Sequence, residues 1–198
     1  MLNKKSTRSY LVKNICSVYM VKFFYHIPES HYMNDWSDQI KENLQTIDVH
    51  PLEFDNNEYR DYVNSNIPAR NMCGNDGLSI LMRDQLLGTR IGFFMKDAKD
   101  NLLVATALDI AFNDFDFDEQ QQEEEESMRP VEDIHINTLC SMEKGAGYGS
   151  IMLDKIKDFG RLYSAKNIVV NITNELNTRY YRKNGFVHYA GNEYHYAF

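Results

Sequence analysis

Residues 139–150 read LCSMEKGAGYGS, and their reading decides the fold. The first three close a stretch of extended character. Glycines follow at Gly145, Gly147 and Gly149, and then a helical pattern with Met152, Ile156, Phe159 and Tyr163 spaced 4, 3 and 4 apart. A strand, a glycine-rich turn and a helix start in that order form a cradle for an anion. The first N–H groups of a helix have no partner within it, its start carries partial positive charge, and glycines let a diphosphate approach the backbone. A tight turn with no ligand fits the same letters. A GxxxxGK[ST] phosphate loop does not, and a dinucleotide-binding fold would carry its glycine turn after the first strand, where none is present.

Working outward, residues 131–140 alternate Ile134 and Ile136 with Asp133, His135 and Asn137, a strand with one polar face. Earlier, TRIGFFM at 89–95 and LLVATALDIAF at 102–112 flank DAKD at 97–100, which predicts a hairpin. Downstream, NIVVNIT at 167–173 predicts a strand and 174–183 a short helix stopped by Asn184 and Gly185. Residues 186–198 predict a second hairpin turning near Gly191. Toward the N-terminus, apolar residues between positions 15 and 25 predict a mostly buried strand. Met33, Trp36, Ile40, Leu44 and Ile47 then predict an amphipathic helix. Residues 51–77, rich in Asn and Asp, alternate loop with a short helix anchored by Tyr59, Tyr62 and Val63. The order is a strand, one or two helices, three strands, a helix, a strand, a helix and two strands. That is an α/β chain of the α+β kind, a single domain over 1–198 with no repeat and no linker.

The composition agrees. The chain has 198 residues, 43% of them hydrophobic, and no run near the roughly 20 apolar residues of a membrane-spanning helix. Cys16, Cys73 and Cys140 are odd in number and lack CxxC spacing, which argues against a disulfide framework or a zinc site and for a reducing, cytoplasmic or nuclear compartment. The net charge of −8 equals the eight acids Asp114, Asp116, Asp118, Glu119 and Glu123, Glu124, Glu125 and Glu126. Residues 113–129 therefore read as a solvated acidic loop, either a polar insertion or an electrostatic funnel for a cationic substrate. With no basic stripe in the body, nucleic acid is not expected as a partner. The first 28 residues hold five basic and no acidic side chains, a composition shared by transit segments, although the apolar pattern favours a strand. The histidines show no metal-ligand spacing, so no metal is assigned.

A second segment changes what the glycine turn means. TNELNTRYYRKNGF at 173–186, together with LCS at 139–141 and the KxxGxG pattern of Lys144, Gly147 and Gly149, resembles the GCN5-related N-acetyltransferase (GNAT) family. The resemblance is close from about residue 131 onward. It implies a mixed, mostly antiparallel sheet of about six to seven strands, flanked by helices, with splayed central strands holding acetyl-CoA. Lys144 stands where the family has Gln or Arg, and Gly145, Ala146, Gly147, Tyr148, Gly149 and Ser150 would supply N–H groups to the diphosphate. Leu139, Cys140 and Ser141 would pair with the pantetheine arm in strand fashion. The thiol of Cys140 would be incidental and its N–H an oxyanion donor. Asn174 and Tyr181 match the family's Asn and Tyr beside that arm.

The resemblance also implies a mechanism, acetyl transfer straight to a primary amine of a small molecule, polyamine or protein. Tyr181 would be the proton donor, and His135 or Asp133 the general base. The alternative is an inactive CoA-binding sensor or scaffold. The expected partners are acetyl-CoA and an amine acceptor, cationic if the acidic balance matters, with no nucleic acid and no membrane, in a monomer or homodimer. Two departures stand out: the chain is short between Ser141 and Lys144, and the family's V-x-P before the glycine segment is absent.

Overall fold

The computed structural model describes residues 21–28, 43–67, 76–88, 90–112 and 131–198. The expected acidic loop at 113–129, the start of the first strand, the transit-like segment up to residue 20 and most of the first helix lie outside the described residues. Within them the chain forms β1 (Lys22–His26), β2 (Val49–Pro51), α1 (Asn56–Asn66), α2 (Asp76–Leu86), β3 (Ile91–Lys96), β4 (Leu102–Phe112) and β5 (Val131–Ser141). It continues through α3 (Tyr148–Leu162), β6 (Asn167–Asn171), α4 (Glu175–Lys183), β7 (Val187–Ala190) and β8 (Glu193–Ala197). All eight strands belong to one sheet, in the order β2-β1-β3-β4-β5-β6-β8-β7. Only β1 with β2 and β5 with β6 run parallel; the other neighbours are antiparallel.

Local chemistry explains the turns. Between β3 and β4, Asp97 Oδ1 accepts from the N–H groups of Lys99 at 2.8 Å and Asn101 at 2.9 Å. That network lets Asp100 adopt a positive φ of 63° and closes the predicted hairpin. The second hairpin turns at Gly191, φ 52°, as its sequence requires. α1 starts with a complete capping box. Asp55 Oδ1 accepts from the N–H groups of Asn57 and Glu58, and Glu58 Oε2 accepts from the N–H of Asp55.

Strand alternation divides the core. Phe93, Met95, Ile134 and Ile136 pack with the α3 stripe of Met152, Ile156, Phe159 and Tyr163, all buried as their spacing predicts. Phe94, Ala105, Ala107 and Cys140 pack instead with Tyr59, Val63 and Ile67 from α1 and its end, and with Met82 and Leu86 from α2.

The structure departs from the sequence reading in two elements. β2 adds an eighth strand to the seven expected, because Val49, His50 and Pro51 lie parallel to Phe23, Phe24 and Tyr25. α2 had no counterpart, although Ser79, Met82 and Leu86 carry helical spacing and are fully buried. Among the described residues no helix is long and apolar enough to cross a membrane.

Candidate active site

The site begins where two parallel strands part. β5 pairs with β6 from Asp133 opposite Asn167 to Ile136 opposite Val170. Beyond that point β5 keeps its β4 partners, Thr138 opposite Ala107 through Ser141 opposite Val104, while no pairing to β6 continues. A bulge between Ala107 and Leu108 in the β4 register, with Asn137 as the extra residue on β5, marks the parting. Residues 137–141 thus present one backbone edge to whatever enters between the strands.

A cavity of about 720 Å³ opens there, within the ~300–1,000 Å³ range of small-ligand sites. Leu139, Cys140 and Ser141 form one wall. Lys144, Gly145, Gly147, Tyr148, Gly149 and Ser150 form the second, and Asn174, Tyr180 and Tyr181 the third. Eleven residues assigned from sequence to cofactor binding, all except Ala146, therefore meet at one place.

The glycine turn sets the end of this cavity. Gly147 is the N-cap of α3 at φ 85°, and Gly145 has φ 80°. A Cβ at either position would meet nothing within 4 Å, so glycine is favoured there by the backbone angle and not by crowding. α3 has no side-chain cap and no acid in its first turn, whereas α1 is capped by Asp55 and α4 by Asn174. The first hydrogen bonds to Gly147 O come from Ser150 and Ile151, at 3.0 and 3.2 Å. The donors ahead of them, Tyr148 and Gly149, have no partner within the helix and point the positive end of α3 at the cavity.

Asn174 does two things. Its Oδ1 accepts from the N–H of Asn177 at 2.9 Å, starting α4, and its amide NH2 remains as the free-standing donor of that side chain. On α4, Tyr181 is 7% exposed and lies edge-on to Tyr180 and Phe186, with ring centroids 5.0 and 5.2 Å away. Burial pushes its phenol far above the ordinary tyrosine range, with the neighbouring Tyr180 adding to the effect. Burial likewise pushes Tyr180 up to about 12, with Ser150 acting in the opposite direction. Both hydroxyls hold their protons at neutral pH.

Two expectations need correction. His135 and Asp133 do not line the cavity. Asp133 Oδ1 accepts from Asn167 Nδ2 at 2.9 Å near the start of β5, and His135 stands opposite Asp109 and Val169. At a strand rise of about 3.3 Å per residue, His135 lies roughly 13 Å along β5 from Leu139. The general-base assignment therefore lacks proximity, because a single strand of this length serves the core at one end and the cavity at the other. Cys140 is disulfide-bonded, contrary both to the expectation drawn from cysteine number and spacing and to the expectation that its sulfur is incidental; Cys16 and Cys73 lie outside the described residues. Tyr180, to which the sequence analysis gives no role, also lines the cavity. Among the described residues no cluster of three or more His, Cys, Asp or Glu is arranged to hold a metal.

No family model matches the chain, and no curated protein matches it in sequence. Solved structures resemble it in shape. The KacTA–DNA complex contains a chain 16% identical to this one, with a TM-score of 0.48, over 63% of this chain and 81% of that one. AtaTR bound with acetyl-CoA gives 13% identity and a TM-score of 0.48 over 68% and 89%. AtaT complexed with acetyl-methionyl-tRNA gives 12% and 0.45 over 63% and 84%. Nothing about this chain's own chemistry follows at such identities and TM-scores. They do overturn one expectation, that nucleic acid is excluded and that an amine acceptor of the expected kinds is the partner: chains of similar shape are solved with DNA and with a charged tRNA. The ground for the exclusion was the acidic balance and the absence of a basic stripe along the sequence, and neither describes a surface that folding assembles from residues far apart in the chain.

Proposed function

We propose that the protein is an acetyl-CoA-dependent acetyltransferase. The observation that carries the reading is the convergence on one cavity of an unpaired strand edge, an uncapped glycine-started helix and two buried phenols. Each fits a different part of the ligand. The uncapped start of α3, with Gly145 and Gly147 in left-handed turns, suits a diphosphate, and Lys144 adds a cation beside it. The free edge of residues 137–141 suits the amide groups of a pantetheine arm, which extend a sheet as a strand does.

Acetyl-CoA, when bound, supplies the thioester whose acetyl group moves to the acceptor. The backbone N–H near Cys140 is the donor on this chain for the carbonyl oxygen. Tyr181 Oη, on the cavity wall, is the proton source for the leaving thiolate, and burial keeps it protonated before the reaction. The acceptor is left open in this reading, and a charged tRNA belongs among those tested. No side chain is assigned as base.

The test is a shift of the melting midpoint by acetyl-CoA, followed by transfer assays. A ligand that binds only the folded state raises the midpoint. A rise of several degrees, with acetyl transfer to one member of an acceptor panel that includes polyamines, lysine peptides and aminoacyl-tRNA, is the expected result. Absence of any shift at millimolar acetyl-CoA overturns the reading. A shift without transfer to any acceptor leaves the CoA-binding module as the better description.

A further inference from the structure

α4 carries three cations, and the structure uses them differently. Arg179 pairs with Glu175 one turn earlier, and the Arg182 guanidinium lies over the ring of Tyr194, 5.7 Å from its centroid. Lys183 has neither kind of partner among the described residues; it is exposed and lines the cavity. Leu176, Tyr180 and Lys183, spaced 4 and 3 apart, share the face of α4 that the cavity meets. Of the two acids in the lining, Glu175 is held by Arg179 and Glu143 adjoins Lys144 in the chain, so neither pairs with Lys183.

The height of Lys183 along the helix says what it can meet. Tyr180 marks the level of the first turn of α3, since a Cβ at Gly149 would come within 2.7 Å of its Oη. At 1.5 Å per residue, Lys183 stands about 4.5 Å along α4 beyond that level and about 13 Å from Asn174. It therefore lies past the seat of the diphosphate, on the side away from the pantetheine arm. Acetyl-CoA carries a further phosphate in that direction, the 3′-phosphate of its adenosine, with about two negative charges at neutral pH.

We infer that Lys183 is a specificity-determining residue whose ammonium group donates to the 3′-phosphate of acetyl-CoA, so that the protein selects the 3′-phosphorylated cofactor over its dephosphorylated form. The inference rests on the acetyl-CoA reading of the cavity and deepens it from the diphosphate to the outer phosphate. A lysine in the last turn also complements the helix dipole, a role that involves no ligand.

Titration calorimetry at low ionic strength separates the two roles, with CoA and 3′-dephospho-CoA as probes. Wild type is expected to bind CoA about fivefold more tightly, the scale of one exposed ion pair, and the preference to shrink at high salt. Lys183→Gln is expected to bind CoA as weakly as dephospho-CoA, with dephospho-CoA affinity unchanged. Lys144→Gln weakens both ligands alike and keeps the preference, because the diphosphate is common to them. Equal affinity of wild type for the two ligands overturns the assignment. So does a preference that survives in Lys183→Gln while the melting midpoint falls, the result of a lysine that serves the helix end alone. A wild-type protein that binds neither ligand overturns the reading of the cavity itself, and this assignment with it.

Discussion

Tyr181 and Gly147 are the two residues on which single substitutions speak most directly. Tyr181 is packed between Tyr180 and Phe186 and lines the cavity. Tyr181→Phe keeps that packing and removes the proton, so turnover is expected to fall by about 100-fold, the lower part of the range for general acid catalysis, with acetyl-CoA affinity nearly unchanged. Steady-state rates beside calorimetric affinity check this, and undiminished turnover removes Tyr181 from the mechanism. Gly147 sits at φ 85° with open space around it. Gly147→Asp places a carboxylate at the proposed diphosphate seat, at a left-handed position that Asp tolerates better than most residues, for about 1–2 kcal/mol. CoA binding is expected to vanish while the circular dichroism spectrum stays that of a folded protein. Wild-type affinity in that variant would remove the cradle. At this scale much of the site was legible in the letters, since positive φ and a helix start are local demands. Tyr180 was not, because it packs against Gly149 from a different helix.

Helices differ in how they are started, and the difference separates scaffold from site. α1 has a full capping box at Asp55, and α3 has none. Asp55→Ala is therefore expected to cost about 1 kcal/mol of stability, read by denaturant unfolding, with no change in acetyl-CoA affinity. A loss of affinity in that variant would tie α1 to the cavity. The elements with strong local periodicity, the β3–β4 hairpin, α3 and the C-terminal hairpin, stand where their sequences place them. α2 was missed because its buried face, Ser79, Met82 and Leu86, includes a serine, and because Leu78, Ile80 and Leu81 spread apolar residues around the helix and blur the stripe. β2 was missed because three residues carry no period; its pairing with β1 alone defines it.

At the scale of the molecule, buried phenols govern behaviour in alkali. Tyr25, Tyr163 and Tyr180 are each raised by burial to about 12 in the folded protein, against 10.0 for a free side chain. Between those values the unfolded chain has released protons that the folded chain still holds. The stability is complete below pH 10 and is lost as the pH rises through about 12. Melting midpoints are therefore expected to hold up to pH 10 and fall steeply beyond it, with the buried tyrosines' share of the tyrosinate absorbance appearing only together with unfolding. Complete tyrosinate absorbance from all 13 tyrosines, reached without loss of structure, would contradict the burial of these rings. By itself the sequence determined the kinds of element, the left-handed glycine turn and the two motifs that flank the cavity, because periodicity, capping and φ act over a few residues. The tertiary structure alone decided where β5 leaves β6, that His135 and Asp133 stand apart from Leu139 and Cys140, and that the Tyr180 hydroxyl lies against Gly149. Those depend on strand register and on a crossover between residues far apart in the chain, where one residue of slip would turn every side chain to the other face.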